Sequence, residues 1–193
     1  MLTIYFFVSF FGFDFDSLAY LMGQLRPRQY RCLDFCGGSE VFLASLAPNF
    51  EHVDILDQNT VEARELAEKL ELSNVSIINA DARTYDYQGT QFDAIVAADV
   101  LEHFQDLTQP ITNIKKWLHP NGFLFTSLPT ENIFYRLLRI IFRKTKPHDH
   151  YHTAAEVEGC LKEHGFKKAA GLYHPLILRI FPLFRISAWR KED

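Results

Sequence analysis

The sequence predicts an α/β fold built on a doubly wound, mostly parallel seven-stranded sheet with an antiparallel last strand. Three features predict it. Short apolar runs that end in acids alternate with helix-patterned segments over residues 30–128. The run Arg31-Cys32-Leu33-Asp34-Phe35 leads into the turn Cys36-Gly37-Gly38, whose glycines remove side chains where a ligand would approach the backbone. Asp57 stands nineteen residues after Gly38, where such a fold places a carboxylate at the tip of its second strand to accept ribose hydroxyls.

Composition bounds the rest. With 193 residues, 48% of them hydrophobic and 18 of them Phe, the chain suits one globular domain with a sizeable core. A net charge of -4 and a pI near 6.1 argue against wholesale binding of nucleic acid. Cys32, Cys36 and Cys160 show neither zinc-ligand spacing nor a disulfide framework, so a reducing, cytoplasmic compartment is expected. Residues 2–13 are apolar but shorter than a membrane span, lack a basic leading region and run into Asp14 and Asp16. They read as mature structure lying over the core or pocket.

A helix is expected over 17–25, capped by Asp16 or Ser17 and stopped before Pro27. The first strand, 30–35, carries Asp34 near its end, and Ser39 is placed to cap a helix that 41–47 continue up to Pro48. Residues 51–57 form the second strand, and Asn59-Thr60-Val61-Glu62 has the capping-box pattern for a helix reaching 70 or 71. A third strand, 75–79, runs into Ala80-Asp81-Ala82. The fourth, 92–97, runs into Ala98-Asp99-Val100-Leu101-Glu102-His103. A helix over 107–118, a turn at His119-Pro120-Asn121-Gly122 and a fifth strand over 123–128 follow. Asp34, Asp57, Asp81 and Asp99 thereby collect at the carboxyl edge of a parallel sheet, where ligands of such sheets sit. Thr153-Ala154-Ala155-Glu156 is a second capping box, for a helix ending near His164 with Gly165 as a left-handed cap. A hairpin of 168–173 and 184–190 completes the sheet. The chain divides into an N-terminal cap (1–29), a cofactor-binding core (30–128), a lid or insertion (129–153) and a C-terminal helix and hairpin (154–193).

Together these motifs resemble the class I S-adenosylmethionine-dependent methyltransferases of the small single-domain type, a Rossmann-like family, over residues 31–166. Leu33-Asp34-Phe35-Cys36-Gly37-Gly38-Ser39-Glu40 is similar to the family's Leu-Asp-x-Gly-x-Gly-x-Gly, with Cys36 and Glu40 replacing its first and last glycines. Leu118-His119-Pro120-Asn121-Gly122 resembles its Leu-Lys-Pro-Gly-Gly, and Glu163-His164-Gly165-Phe166 its Glu-x-Gly-Phe. The resemblance implies S-adenosyl-L-methionine as cofactor. By the same resemblance, Asp57 takes the ribose hydroxyls, Asp81 the adenine amino group and the Ala82 amide a ring nitrogen. Asp34, Cys36, Gly37 and Gly38 meet the methionine half, and Gln58, Ala98 and Asp99 complete the cofactor set.

Methyl transfer from a sulfonium is an in-line displacement, so the protein mainly has to hold nucleophile and methyl in line, an effect worth about 7–11 kcal/mol in favourable cases. Where the acceptor is a hydroxyl or an acidic carbon, a base must take a proton. His103 is the titratable side chain best placed for that; alternatively it packs or caps the helix that follows. A left-handed backbone at Cys36 would be strained by roughly 1–2 kcal/mol. With the bulk of Cys36 and the charge of Glu40 at the turn, weak cofactor binding or lost catalysis stays open.

Residues 133–146 carry Arg136, Arg139, Arg143, Lys144 and Lys146 and no acid, among apolar residues at helical spacing. They read as a basic amphipathic helix: a lid over a lipophilic or acidic small-molecule acceptor, a peripheral membrane contact, or an ordinary core-facing helix. His148, His150 and His152 alternate without a nearby Cys or carboxylate cluster, which reads as a loop, so no metal is expected. No nucleic-acid partner is expected. A non-catalytic module that binds a partner or membrane is the alternative to an active enzyme.

Overall fold

The structure, a computed structural model, describes residues 13–38, 42–130, 150–174 and 182–192. The expectations for 1–12, for the Ser39 cap, for Glu40 and for the basic helix of 133–146 lie outside those residues.

The described residues form one seven-stranded sheet of order β3-β2-β1-β4-β5-β7-β6. Its strands are β1 (Arg31–Phe35), β2 (His52–Asp57), β3 (Val75–Asn79), β4 (Phe92–Ala98), β5 (Leu118–Pro129), β6 (Phe166–His174) and β7 (Phe184–Lys191). β1 to β5 pair in parallel, and β7 runs antiparallel to both β5 and β6. The order reverses between β1 and β4, the switch point where doubly wound sheets open a crevice beyond the carboxyl ends.

Helices cover both faces because alternate strand residues point to opposite sides. On one side pack α1 (Phe13–Leu25), through Leu18 and Leu21, and the one-turn α2 (Leu43–Leu46). α3 (Val61–Lys69) joins them by setting Ala63 against Ile55. On the other, α4 (Thr108–Trp117) presents Ile111, Ile114 and Trp117 at helical spacing, and α5 (Ala154–Glu163) presents Val157 and Leu161. Trp117 and Trp189 are fully buried there with Phe35 and Phe92. No described helix is long and apolar enough to cross a membrane.

Local signals were realised unevenly. Thr153 forms its capping box with Glu156, each side chain meeting the other's backbone N–H, and Gly165 adopts φ +77 at the end of α5. The box expected at Asn59 does not form: Thr60 is the cap residue, without a side-chain cap bond. The reason is competition, since the Asn59 N–H donates to Asp57 Oδ1 at 2.7 Å. α1 starts at Phe13 rather than 17. β5 continues through the expected turn at 119–122, because Leu118 pairs with Phe92 ahead of an irregularity in the register. A Cβ on Gly122 would come within 2.9 Å of the Phe92 carbonyl oxygen, so only glycine lets the strand pass there.

Candidate active site

At the end of β1 the chain turns through Cys36, a non-glycine residue at φ +59, anchored by its N–H to the Leu56 carbonyl at 2.8 Å. The next two positions admit no side chain. A Cβ on Gly37 would fall on the Asp34 carboxyl group, and one on Gly38 on the Asn59 carbonyl and the Asp57 carboxyl group. The room that glycine leaves is occupied by the chain's own carboxylates. Gly38 N–H donates to Asp57 Oδ2 at 3.0 Å.

Asp34 lies beneath this turn at 2% exposure, and its Oδ2 has no hydrogen-bond partner among the described residues. Burial, reinforced by the Asp57 charge, pushes its carboxyl up to about 7. Burial also raises the Cys36 thiol, as do Asp57, Asp34 and Asp81, so it stays protonated and is no nucleophile.

Asp81 follows β3 on a tight turn. Arg83 holds its carboxylate by Nε to both oxygens at 3.0 Å, by Nη2 to Oδ2 at 2.5 Å and by its backbone N–H to Oδ1 at 2.9 Å. The Arg83 hydrogen bond keeps the Asp81 carboxyl below the usual range, with a smaller contribution from Gln58. Asn113 on α4 fixes the loop from behind, donating to the Ala82 and Arg83 carbonyls at 2.9 and 3.0 Å. Gln58 is set at the tip of β2 by the Asn79 side chain, which donates to its carbonyl at 2.9 Å.

Beyond β4, Ala98 stands opposite Ser127, and Asp99 turns at φ +51 with its N–H on the Ser127 carbonyl at 2.9 Å. The short helical turn Leu101–His103 follows. Glu102 is buried, and its carbonyl takes the N–H of Tyr151 at 2.9 Å. His103 meets the ring of His150 edge to face at 4.6 Å between centroids. The fold therefore brings together the predicted Asp34, Cys36, Gly37, Gly38, Asp57, Gln58, Asp81, Ala82, Ala98 and Asp99 at one carboxyl edge, with His103 on the β4 side. Sequence reasoning missed Arg83, Asn113, Glu102 and the return of His150 to this edge. Asp81-Ala82-Arg83 carried a readable acid-x-Arg signal; the others are long-range contacts. A separate cavity of about 390 Å³ lies between α1 and α2, lined by Leu18, Met22, Phe42 and Phe50, and shares no residue with the edge.

A family model described as methyltransferase domain matches residues 12–170. The chain belongs to that family. Its motifs are those that resemble the class I S-adenosylmethionine-dependent group. The ubiquinone biosynthesis O-methyltransferase of Colwellia psychrerythraea is 28% identical over 156 residues, 73% of this chain and 63% of that protein. The (S)-tetrahydroprotoberberine N-methyltransferase of Eschscholzia californica is 27% identical over 128 residues, 65% of this chain and 35% of that protein. The chain thus spans less than two thirds of the length of these curated relatives. Among solved structures, the N-methyltransferase NodS of Bradyrhizobium japonicum aligns with a TM-score of 0.72 over 92% of this chain and 94% of that one, at 19% identity. It has also been solved with S-adenosyl-L-homocysteine. A S-adenosylmethionine-dependent methyltransferase of Clostridium acetobutylicum aligns with a TM-score of 0.78 over 98% of this chain and 97% of that one, at 12% identity. These structural likenesses establish that the methyltransferase domain has its family's fold.

Proposed function

We propose that this methyltransferase domain transfers a methyl group from S-adenosyl-L-methionine to a small-molecule acceptor. The observation that carries the reading is the gathering of Asp34, Asp57, Asp81 and Asp99 at the carboxyl edge beside the β1/β4 switch point. The residues fit that cofactor: it carries a sulfonium and an ammonium, and here carboxylates converge around Asp34, whose Oδ2 is buried and unpartnered. Solved relatives of the same fold hold its product, which supports the assignment.

When bound, S-adenosylmethionine supplies a methyl group on a positively charged sulfur. Asp57 keeps further lone pairs for the ribose hydroxyls after accepting from Gly38 and Asn59. Asp81, kept ionised by Arg83, accepts from the adenine amino group. Asp34 gives up its proton when a cation settles against it, which offsets the burial of its charge. His103 takes the acceptor's proton where the acceptor is a hydroxyl or an acidic carbon.

We read the acceptor as lipophilic or acidic. The apolar and basic sequence of 133–146 supports this, and a net charge of -4 weighs against nucleic acid. The names of two relatives point the same way, one to tetrahydroprotoberberine and the other to ubiquinone biosynthesis. The test is incubation with methyl-labelled cofactor and separate pools of phenols, lipophilic acids, amines and RNA. Label in an organic-extractable product of the first three pools is expected. Label confined to RNA overturns the acceptor assignment, and label in no pool overturns the activity.

A further inference from the structure

Glu102, His103 and His150 form a constellation that no step above uses as a unit. Each offers one ligand atom, and these atoms all lie within 4.8 Å of one another. We propose that they make a site for a divalent transition-metal ion, with zinc the best match. Its place beside the acceptor rests on the methyltransferase reading; the site itself rests on the following observations.

The donor set is two imidazoles and one carboxylate. Nitrogen and oxygen ligands in that number suit zinc sites that keep a coordination position open. The donors are also withdrawn from water: Glu102 is 1% exposed, and both its carboxylate oxygens, His103 Nδ1 and His150 Nε2 are shielded from solvent. A carboxylate buried this deeply stays charged only with hydrogen-bond donors or a cation against it, and a metal ion is one such cation.

The arrangement is held from several directions. Glu102 and His103 are adjacent on the short turn after β4, while His150 arrives from 47 residues downstream. The Glu102 carbonyl accepts from Tyr151 N–H at 2.9 Å and His152 N–H at 3.4 Å, and Gln105 Nε2 donates to the Tyr151 hydroxyl at 3.1 Å. Immediately beyond, the Thr153 capping box starts α5. Zinc–nitrogen bonds of about 2.0–2.1 Å in a tetrahedral shell set ligand atoms roughly 3.3 Å apart. The three ligand atoms, at most 4.8 Å apart, lie within about 1.5 Å of that separation.

In the sequence the alternating histidines lack a nearby Cys or carboxylate cluster; folding brings the Glu102 carboxylate and a second imidazole to His150. Three protein ligands leave at least one position for water or for the acceptor. With an ion present His103 becomes a ligand rather than a proton acceptor, and the ion's charge lowers the pKa of the oxygen that fills the open position. An acceptor with an ionisable hydroxyl or carboxyl group fits such a site best.

The test uses the full chain stripped by chelator, titrated with Co²⁺ as a spectroscopic probe and then challenged with Zn²⁺. One Co²⁺ per chain at micromolar affinity is expected, with visible bands of low-coordinate cobalt that Zn²⁺ abolishes. His150→Ala should weaken binding by at least about 100-fold, more than loss of an outer-shell partner gives. Glu102→Gln should do the same, and His152→Ala should leave binding intact. His150 is only half-buried, whereas Glu102 is fully buried, so the His150 variant reports on binding even if the Glu102 variant does not fold. Failure to bind Co²⁺ at micromolar concentration, survival of binding in His150→Ala, or equal loss in His152→Ala overturns the site. Cofactor affinity, measured separately on the stripped protein, keeps the two readings apart, because it fails only if the methyltransferase reading fails.

Discussion

Gly38 donates its backbone N–H to Asp57 Oδ2 at 3.0 Å, while Asn59 donates to Asp57 Oδ1 at 2.7 Å. The turn after β1 and the tip of β2 therefore close on one carboxylate. Asp57→Ala leaves two backbone donors without their partner and removes the acceptor for the ribose. Affinity for the adenosyl ligand should fall by about 1–3 kcal/mol, read by calorimetry, with a loss of similar size in denaturant stability. An unchanged affinity would separate Asp57 from the cofactor.

Asp34 makes stability and binding depend on pH in opposite directions. Its carboxyl is raised to about 7 in the folded chain from an ordinary 3.8, so the folded state holds the proton more tightly across that window. Its contribution to stability is complete below the unfolded value, falls as pH rises through the window by up to about 1.4 kcal/mol per unit, and levels off above 7. Asp34→Asn should flatten this slope in urea titrations from pH 5 to 8. Cofactor affinity should tighten over the same range, since the cation prefers ionised Asp34.

Cys36 sits at φ +59, a conformation that strains a side chain. Cys36→Gly relieves roughly 1–2 kcal/mol of that strain and adds about 0.4–1 kcal/mol of unfolded-state entropy. The expected net change in denaturant stability lies between zero and about 1.6 kcal/mol of gain, with cofactor affinity equal or tighter. Cys36→Val, branched at Cβ, should destabilise clearly. Weaker cofactor binding by the glycine variant would give the Cys36 side chain a positive role.

Asn113 reaches from α4 to the carbonyls of Ala82 and Arg83 in a buried setting. Asn113→Ala should cost about 1–3 kcal/mol of stability and loosen the Asp81 loop, weakening the adenosyl ligand as well. Hydrogen exchange of the Thr84 and Tyr85 amides, both bonded to the Asp81 carbonyl, measures that loosening directly.

The strand tips were legible in the sequence because apolar runs ending in acids state both where a strand stops and what it presents. Asp34, Asp57, Asp81 and Asp99 all fall at the expected edge, and the last hairpin returns antiparallel as its position implied. Local signals misled where a tertiary partner outbid them. Asp57 takes the Asn59 N–H from the expected cap, and Phe92 draws Leu118 into a strand that Asn121 and Gly122 seemed to forbid. The link from Glu102 to His150 joins residues 48 positions apart, and no local pattern announces it.

The central claim is tested most directly by calorimetric titration of the purified chain with S-adenosyl-L-methionine and, separately, with S-adenosyl-L-homocysteine. One site per chain with micromolar affinity for both ligands is the expected result, with heat that varies with buffer ionisation near pH 6 as Asp34 releases its proton. Millimolar affinity, or no binding of either ligand, would contradict it.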